Sequence, residues 1–211
     1  MSSTPQGQGH QTTVAQIVAD ELGVRPDQVT VTDEMDTFVR KWSISSGTYS
    51  SRFASVATSA AAQAAQKMRA RLCALGAHLL EVTPDKVERK GGRVIRKDNP
   101  EKQVSIGRIA GVAHWNPTQL PAGSPIGVEE TAVFSFPKAQ PPDEQDRVNS
   151  SNTYGFIAEV VAVEVDPDTA DVKLLKYVTV HDAGTVINPM VVEGQIYGGA
   201  AHGIGGALYE E

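Results

Sequence analysis

The chain has a single cysteine, Cys73, among its 211 residues. One cysteine excludes an internal disulfide, and no cluster of Cys or His shows the spacing of metal ligands. This shortage argues against a structural zinc site and against an iron–sulfur cluster held by this chain alone. We therefore expect any metal at a site in this chain to arrive attached to a ligand.

The sequence also lacks a long apolar run and an extended basic surface. No stretch approaches the roughly 18 consecutive apolar residues of a membrane span, and the first residues, MSSTPQGQG, do not resemble a signal peptide. The net charge is −6, from 25 acidic and 19 basic residues, and basic residues cluster only from Lys86 to Lys97. We therefore expect a cytoplasmic protein that binds no nucleic acid and has no membrane span.

Hydrophobic residues make up 40% of the chain, enough to bury a core in one domain or in two lobes. Apolar residues at helical spacing predict a first helix that ends at Leu22, and a short strand is predicted at 28–32. A second helix, rich in Ala, is predicted from about Ser51 to Leu75. A hairpin that turns at Gly91-Gly92 and a short helix at 105–116 follow.

The second half continues this alternation of helices and hairpins. Residues 117–152 are rich in Pro and polar side chains around a strand-like stretch, 131–136, and are predicted to form a surface excursion between two lobes, 1–116 and 128–211. Two β-branched runs joined by Asp166-Pro-Asp-Thr predict a hairpin. A glycine-rich helix is predicted from Pro189. The predicted fold class is α+β, with mixed helices and β-hairpins.

The first candidate site is the segment Gly7-Gln8-Gly9-His10. Glycines on both sides of Gln8 leave backbone N–H groups open to a ligand, and the Gln8 amide both donates and accepts hydrogen bonds. The dipole of the helix that follows favours an anionic partner. Considered alone, a glycine-flanked turn before a helix is more often an ordinary helix entry than a binding site.

Two further stretches offer polar groups. SISSGTYSSRF places hydroxyls and a guanidinium directly before the Ala-rich helix, which suits an anion or a polar heterocycle, although a polar loop that caps a helix is the plainer interpretation. EGQIYGGAAHGIGG, near the end of the sequence, has too many glycines for a stable exposed helix. It either packs against another backbone or lines a ligand, and it does not match a P-loop.

Catalytic side chains are not apparent in this sequence. The five histidines, His10, His78, His114, His181 and His202, show no paired spacing of the metal-ligand kind. There is no Gly-x-Ser-x-Gly motif and no cysteine with a matching histidine. Composition and spacing thus predict a polar, glycine-lined binding surface built from three segments.

Taken together, GQGHQTTVAQIVADELGV, SSGTYSSRF and the run from FIAEVVAVEV to VHDAGTVINPMVVEGQIYGGAAHG resemble the molybdenum-cofactor-binding large subunit of the xanthine dehydrogenase/aldehyde oxidase family, including aerobic carbon monoxide dehydrogenase. The resemblance covers nearly the whole chain, and D-x-G-x-x-I-N-P with V-E-G-Q is its most specific part. It implies a molybdopterin-binding fold for residues 1–211.

The resemblance implies a ligand and the residues that hold it. In this family the pterin carries molybdenum through its own sulfur atoms, so no protein metal ligand is needed and the metal-ligand set of this chain is none. The cofactor, with or without a dinucleotide tail, is expected to contact the following residues: Gly7, Gln8, Gly9, His10, Thr48, Tyr49, Ser50, Ser51, Arg52 and Gln195.

The resemblance also implies partners. The family's catalytic glutamate lies in a Gly-x-Gly-Glu motif that this sequence does not contain, so no catalytic residue is expected here and another chain is expected to carry the rest of the large subunit. An iron–sulfur subunit and an FAD subunit are expected to complete a complex that hydroxylates an aldehyde, N-heterocycle or similar small substrate with water as oxygen source. The alternative is a non-catalytic truncated or assembly-type cofactor-binding domain.

Overall fold

The computed structural model describes residues 1, 3–33, 48, 51–149 and 153–210. The chain divides into two compact units, here called the first unit (Met1–Ser150) and the second unit (Ser151–Glu211). Helices and small antiparallel sheets occur in both units. The α+β fold class predicted from the sequence is therefore confirmed.

The first unit contains helices and one antiparallel sheet with the strand order β1-β2-β3. A π-helical turn, Phe53–Ala57, leads directly into the longest helix. The regular elements are α1 (His10–Leu22), α2 (Thr58–Leu79), β1 (Val87–Lys90), β2 (Arg93–Arg96), β3 (Gln103–Ser105) and α3 (Ile106–Trp115).

Helix α2 forms the centre of the first unit. Its Leu72 is 2% exposed and shares a core with Val94 of β2 and Ile109 of α3, both 0% exposed. The sheet approaches α2 closely at Gly76, where an added Cβ would lie 2.8 Å from the Cβ of Val94. The backbone of α2 at Gly76 therefore packs directly against the side chain of Val94, and a residue larger than glycine does not fit there.

Helix α1 packs along α2 through small side chains and one ion pair. Val14, Ala15 and Ala19 of α1 are buried. The Arg69 guanidinium of α2 lies 2.8 Å from the Glu21 carboxylate at the end of α1. The ion pair holds the C-terminal end of α1 against the middle of α2.

The second unit consists of a two-stranded hairpin and a helix. β4 (Ile157–Val165) pairs antiparallel with β5 (Val172–His181), and α4 spans Pro189–Leu208. The Asp166 carboxylate accepts hydrogen bonds from the backbone N–H groups of Asp168 and Thr169, at 2.8 and 3.2 Å, and closes the turn. The predicted hairpin and the predicted helix from Pro189 are confirmed.

Apolar side chains lie exposed on both faces of this hairpin. Val160 and Val161, neighbours that point to opposite faces of β4, are 71% and 42% exposed. No residue of α4 is buried either. An antiparallel hairpin normally packs at least one face on a core, so this unit exposes surface of the kind that proteins bury.

The predictions for the first unit hold in part. The helices and the Gly91-Gly92 hairpin are confirmed.

The strand predicted at 28–32 is wrong. Pro26–Gln28 forms a 3-10 turn, and the residues that follow pair with no strand in the described part of the chain. The strand predicted at 131–136 is also wrong: the Thr131 carbonyl accepts a hydrogen bond from the Lys67 Nζ at 3.1 Å instead of joining a ladder. The lobe limits 1–116 and 128–211 stay a prediction.

Among the described residues, no helix combines the length and the apolar character that crossing a bilayer requires. The same residues contain no group of three or more His, Cys, Asp or Glu side chains placed to hold a metal ion.

Candidate functional site

The Gly7–His10 segment forms the entry to helix α1. Gly7 and Gly9 have φ values of 97° and 70°, in the region that favours glycine, and no atom lies within 4 Å of the position of a Cβ on Gly7. The first hydrogen bond of the helix runs from Thr13 N to Gly9 O at 3.0 Å. The N–H groups of the first turn therefore have no acceptor within the helix.

The electrostatics of this helix entry favour an anion. The first turn of α1 contains no acidic residue, so no side chain of its own offsets the positive end of the helix dipole. The glycine before it also leaves the backbone accessible. A helix entry of this kind suits a phosphate or a similarly charged group.

Gln8 joins this entry to the second predicted segment. Its Nε2 donates a hydrogen bond to the Thr48 Oγ at 3.1 Å, and its Oε1 accepts one from the Gln6 N–H at 2.6 Å. The amide is thereby held in one orientation between two parts of the chain that are 40 residues apart. The structure thus brings two of the three predicted segments together.

Ser51 and Arg52 follow on this second segment, and both are exposed. Ser51 has a φ of 53°, which is unusual for a residue with a side chain. The π-helical turn that begins at Phe53 comes directly after them, and such turns occur frequently at functional sites. Tyr49 and Ser50, predicted to belong to the same site, lie outside the described residues.

The His10 ring is buried beneath the helix entry. It is 1% exposed and stacks face to face on the Phe53 ring, with centroids 3.6 Å apart and planes 6° from parallel. Neither ring nitrogen has a hydrogen-bond partner in the described part of the chain. Burial lowers the pKa of His10, and the nearby Asp33 carboxylate opposes this only in part. The imidazole is therefore neutral near pH 7.

Asp33 is the second buried polar group in this region. It is 8% exposed, and its Oδ1 accepts a hydrogen bond from the Gln11 Nε2 at 3.1 Å. Its Oδ2 has no partner among the residues that the structure describes. The two His10 ring nitrogens and the Asp33 Oδ2 are therefore buried polar atoms that form no hydrogen bond with any described residue.

Phe53 and Asp33 were not among the predicted site residues. Phe53 falls within the predicted second helix, and Asp33 follows the predicted strand at 28–32, which does not form. Both contact α1 across long sequence separations. Since no local motif encodes a ring stack between distant segments, no signal in the sequence alone indicates these two residues.

Gln195, the third predicted contributor, belongs to the second unit. It lies exposed on α4, in the turn where the Tyr197 hydroxyl donates to the Glu193 carboxylate at 2.8 Å. Its participation in the same site as Gln8 stays a prediction.

The donors present fit a large polar ligand with an anionic group. An open helix entry, an oriented glutamine amide, a threonine hydroxyl and an exposed guanidinium can bind phosphate oxygens and the edges of a heterocycle from several directions. The unused bonding capacity of His10 and Asp33 lies directly behind them. This arrangement binds and orients a ligand, and the described residues add no paired base and nucleophile to it.

Comparison with known proteins agrees with this chemistry. The family described as "Molybdopterin cofactor-binding domain" matches residues 1–211. The nicotine 6-hydroxylase large subunit of Paenarthrobacter nicotinovorans is 36% identical over 206 residues, covering 98% of this chain and 23% of that protein. The carbon monoxide dehydrogenase large chain of Hydrogenophaga pseudoflava is 36% identical over 211 residues, covering 100% of this chain and 24% of that one.

Solved structures give the same result. A Cu,Mo-CO dehydrogenase in its carbon monoxide reduced state superimposes with a TM-score of 0.75 at 34% identity, over 94% of this chain and 23% of its own. Quinoline 2-oxidoreductase from Pseudomonas putida 86 gives 0.75 at 33% identity, over 96% of this chain and 24% of its own. The chain therefore spans about a quarter of the length of these relatives, 23 to 24%. On the match of this family over residues 1–211, the chain belongs to the molybdopterin cofactor-binding domain family.

Proposed function

We propose that this chain supplies pterin-cofactor contacts to the large subunit of a molybdenum hydroxylase complex. The observation that carries the proposal is the hydrogen bond from Gln8 to Thr48, because it joins the glycine-rich helix entry to the polar segment before α2. The resemblance noted from the sequence assigned the same ligand to both of these segments. A pterin with a phosphate or dinucleotide tail needs donors from several directions, and this junction provides them.

The roles of the individual residues follow from their chemistry. The N–H groups at the Gly7–His10 helix entry bind phosphate oxygens. Gln8 and Thr48 bind polar edges of the pterin or its tail, and Ser51 and Arg52 approach the pyrophosphate or pterin edge from the second segment. The predicted contacts of Tyr49, Ser50 and Gln195 complete the proposed set of residues.

The rest of the large subunit, which is outside these 211 residues, supplies the catalytic glutamate in this proposal. When bound, the cofactor supplies the metal centre at which oxygen from water is transferred to the substrate carbon. An iron–sulfur subunit and an FAD subunit take up the electrons. The substrate class is an aldehyde, an N-heterocycle or a similar small molecule, since relatives are named for nicotine, carbon monoxide and quinoline.

Metal and pterin content of the assembled complex test this function. We expect one molybdenum and one pterin for each copy of the chain, measured by elemental analysis and by fluorescence of the acid-released pterin. Gln8→Ala removes the bond to Thr48 and should lower the cofactor content by up to about tenfold, since a neutral hydrogen bond contributes about 1 kcal/mol and tenfold in affinity corresponds to about 1.4 kcal/mol.

Gln6→Ala is the matched control. The Gln6 side chain is exposed, and the contact to Gln8 uses its backbone N–H, which the substitution retains. The Gln6 variant should therefore load as the natural protein does. An intact complex without molybdenum or pterin would contradict the proposal and favour the non-catalytic, assembly-type domain.

A further inference from the structure

The ring of His10 is an unusual component for a buried stack. Its two nitrogens are buried and have no hydrogen-bond partner among the residues that the structure describes, a cost that a phenyl ring of similar shape would not carry. Its backbone N–H lies in the first turn of α1, where the proposed ligand binds, but its ring points away from solvent at 1% exposure. The His10 backbone N–H is therefore at the proposed ligand site, whereas the His10 ring is packed in the interior.

Two contacts connect the same pair of segments. The Gln8 amide donates a partly buried hydrogen bond to the Thr48 hydroxyl at 3.1 Å. The buried His10 ring stacks on the Phe53 ring, with centroids 3.6 Å apart. Because Phe53 is the last residue of the second segment and the first residue of the π-helical turn, the stack holds the end of that segment, next to Arg52, against the first turn of α1.

We propose that His10 is a positioning residue, whose ring stack on Phe53 holds the two cofactor-contacting segments at the separation that the cofactor requires. This inference rests on the proposed function. The ring touches no ligand: it acts through Phe53, while the ligand meets the backbone N–H groups above it. Two flat rings in face-to-face contact, with centroids 3.6 Å apart and planes 6° from parallel, fix the spacing of their segments along the normal to the rings, and both rings also contribute buried apolar area to the contact.

The test compares substitutions at both rings in the assembled complex. His10→Ala and Phe53→Leu each remove the stack, and Phe53→Leu keeps an apolar side chain of similar volume in case the alanine variant does not fold. His10→Phe retains two stacked rings and the backbone N–H while removing both nitrogens. His78→Ala, at an exposed histidine of α2, is the matched control.

The readout is the rate at which bound pterin is released, measured by fluorescence at a temperature where melting of the cofactor-free protein shows every variant to be folded. We expect His10→Ala and Phe53→Leu to release pterin about tenfold faster. His10→Phe, the conservative variant that keeps a ring stack, should restore slower release than either stack-breaking variant, and His78→Ala should release pterin at the natural rate. A merely structural role would change the melting temperature without changing release from the folded protein.

Two results would overturn the inference. Release at the natural rate from folded His10→Ala or Phe53→Leu would show that the stack positions nothing. Release from His10→Phe as fast as from the stack-breaking variants would assign the effect to the nitrogens instead. Both results presuppose a loaded natural complex, whereas a natural complex without pterin contradicts the proposed function itself.

Discussion

The buried imidazole of His10 makes the stability of the first unit depend on pH. Burial keeps the pKa of His10 below the ordinary value of 6.5 in the folded state, so the unfolded chain binds a proton that the folded chain does not. The contribution of the neutral His10 ring to the free energy of unfolding is then fully present above pH 6.5. It is lost as the pH falls through 6.5 toward the pKa of His10 in the folded state. The slope cannot exceed about 1.4 kcal/mol per pH unit for one proton.

We therefore expect the free energy of unfolding of the first unit to fall between pH 7.5 and 5.5, measured by urea denaturation at each pH. His10→Phe should remove this part of the slope, since phenylalanine does not titrate. His78→Ala should leave the slope intact because His78 is exposed. An identical slope in the natural protein and in His10→Phe would show that His10 titrates alike in both states.

Gly76 permits the close packing of α2 on the sheet. A Cβ at this position would lie 2.8 Å from both Cβ and Cγ1 of Val94, which is itself completely buried. Gly76→Ala should therefore lower the free energy of unfolding by about 1–3 kcal/mol through overpacking, despite the better helix propensity of alanine.

Gly111→Ala is the comparison variant, for which we expect the free energy of unfolding to rise instead of fall. Gly111 lies within α3, and no atom lies within 4 Å of an added Cβ. The substitution should raise the free energy of unfolding by up to about 1 kcal/mol. Thermal melts of the two variants beside the natural protein check both expectations, and a stabilised Gly76→Ala would contradict the close approach of α2 and β2.

At the level of elements, helix α3 begins with a side-chain cap. The Ser105 Oγ accepts a hydrogen bond from the Arg108 N–H at 3.1 Å, and α3 contributes Ile109 and Val112 to the core. Ser105→Ala should lower the free energy of unfolding by about 1 kcal/mol, whereas Ser105→Asp keeps an acceptor and should retain most of it. Urea denaturation measures both, and equal losses would show that the cap contributes nothing.

The elements that could be predicted from the sequence are those with local signals. Gly91-Gly92 and Asp166-Pro-Asp-Thr indicate their turns through backbone angles and side-chain acceptors, which depend on a few neighbouring residues. The strand expected at 28–32 had the right composition, but a strand also needs a partner, and the structure gives these residues none within the described chain. Local pattern cannot supply that information.

The candidate site likewise has a part that the sequence predicts and a part that it does not. The polar segments around Gln8 and Thr48 were identified from glycine and hydroxyl content, and the structure shows the bond between them. The stack of His10 on Phe53 was not foreseen, since it depends on how α1 and the π-helical turn meet in three dimensions. Sequence thus indicated the groups that can touch a ligand and not the ring contact beneath them.

At the scale of the whole molecule, the two units differ in how well they are packed. The first unit has a core with fully buried Leu72, Val94 and Ile109. The second unit exposes apolar side chains on both faces of its hairpin and buries no residue of α4. Since an isolated two-stranded hairpin is at best marginally stable in water, further protein is needed to cover it.

We expect the rest of the large subunit to provide that cover. In the assembled complex, backbone amides of β4 and β5 should exchange with deuterium at least about tenfold more slowly than in the 211-residue chain alone, because exchange of a covered hairpin requires a larger opening. Hydrogen exchange followed by mass spectrometry measures both states on the same peptides.

The β1–β2 hairpin is the internal control for this comparison. It already packs its Val87 and Val94 against α2 within the first unit, so its amides should exchange alike in the chain and in the complex. Equal exchange of β4 and β5 in the two states, together with a single cooperative melt of the isolated chain, would mean that the hairpin needs no cover. Slower exchange confined to β4, β5 and α4 would instead identify the second unit as the part that folds fully only with the remainder of the subunit.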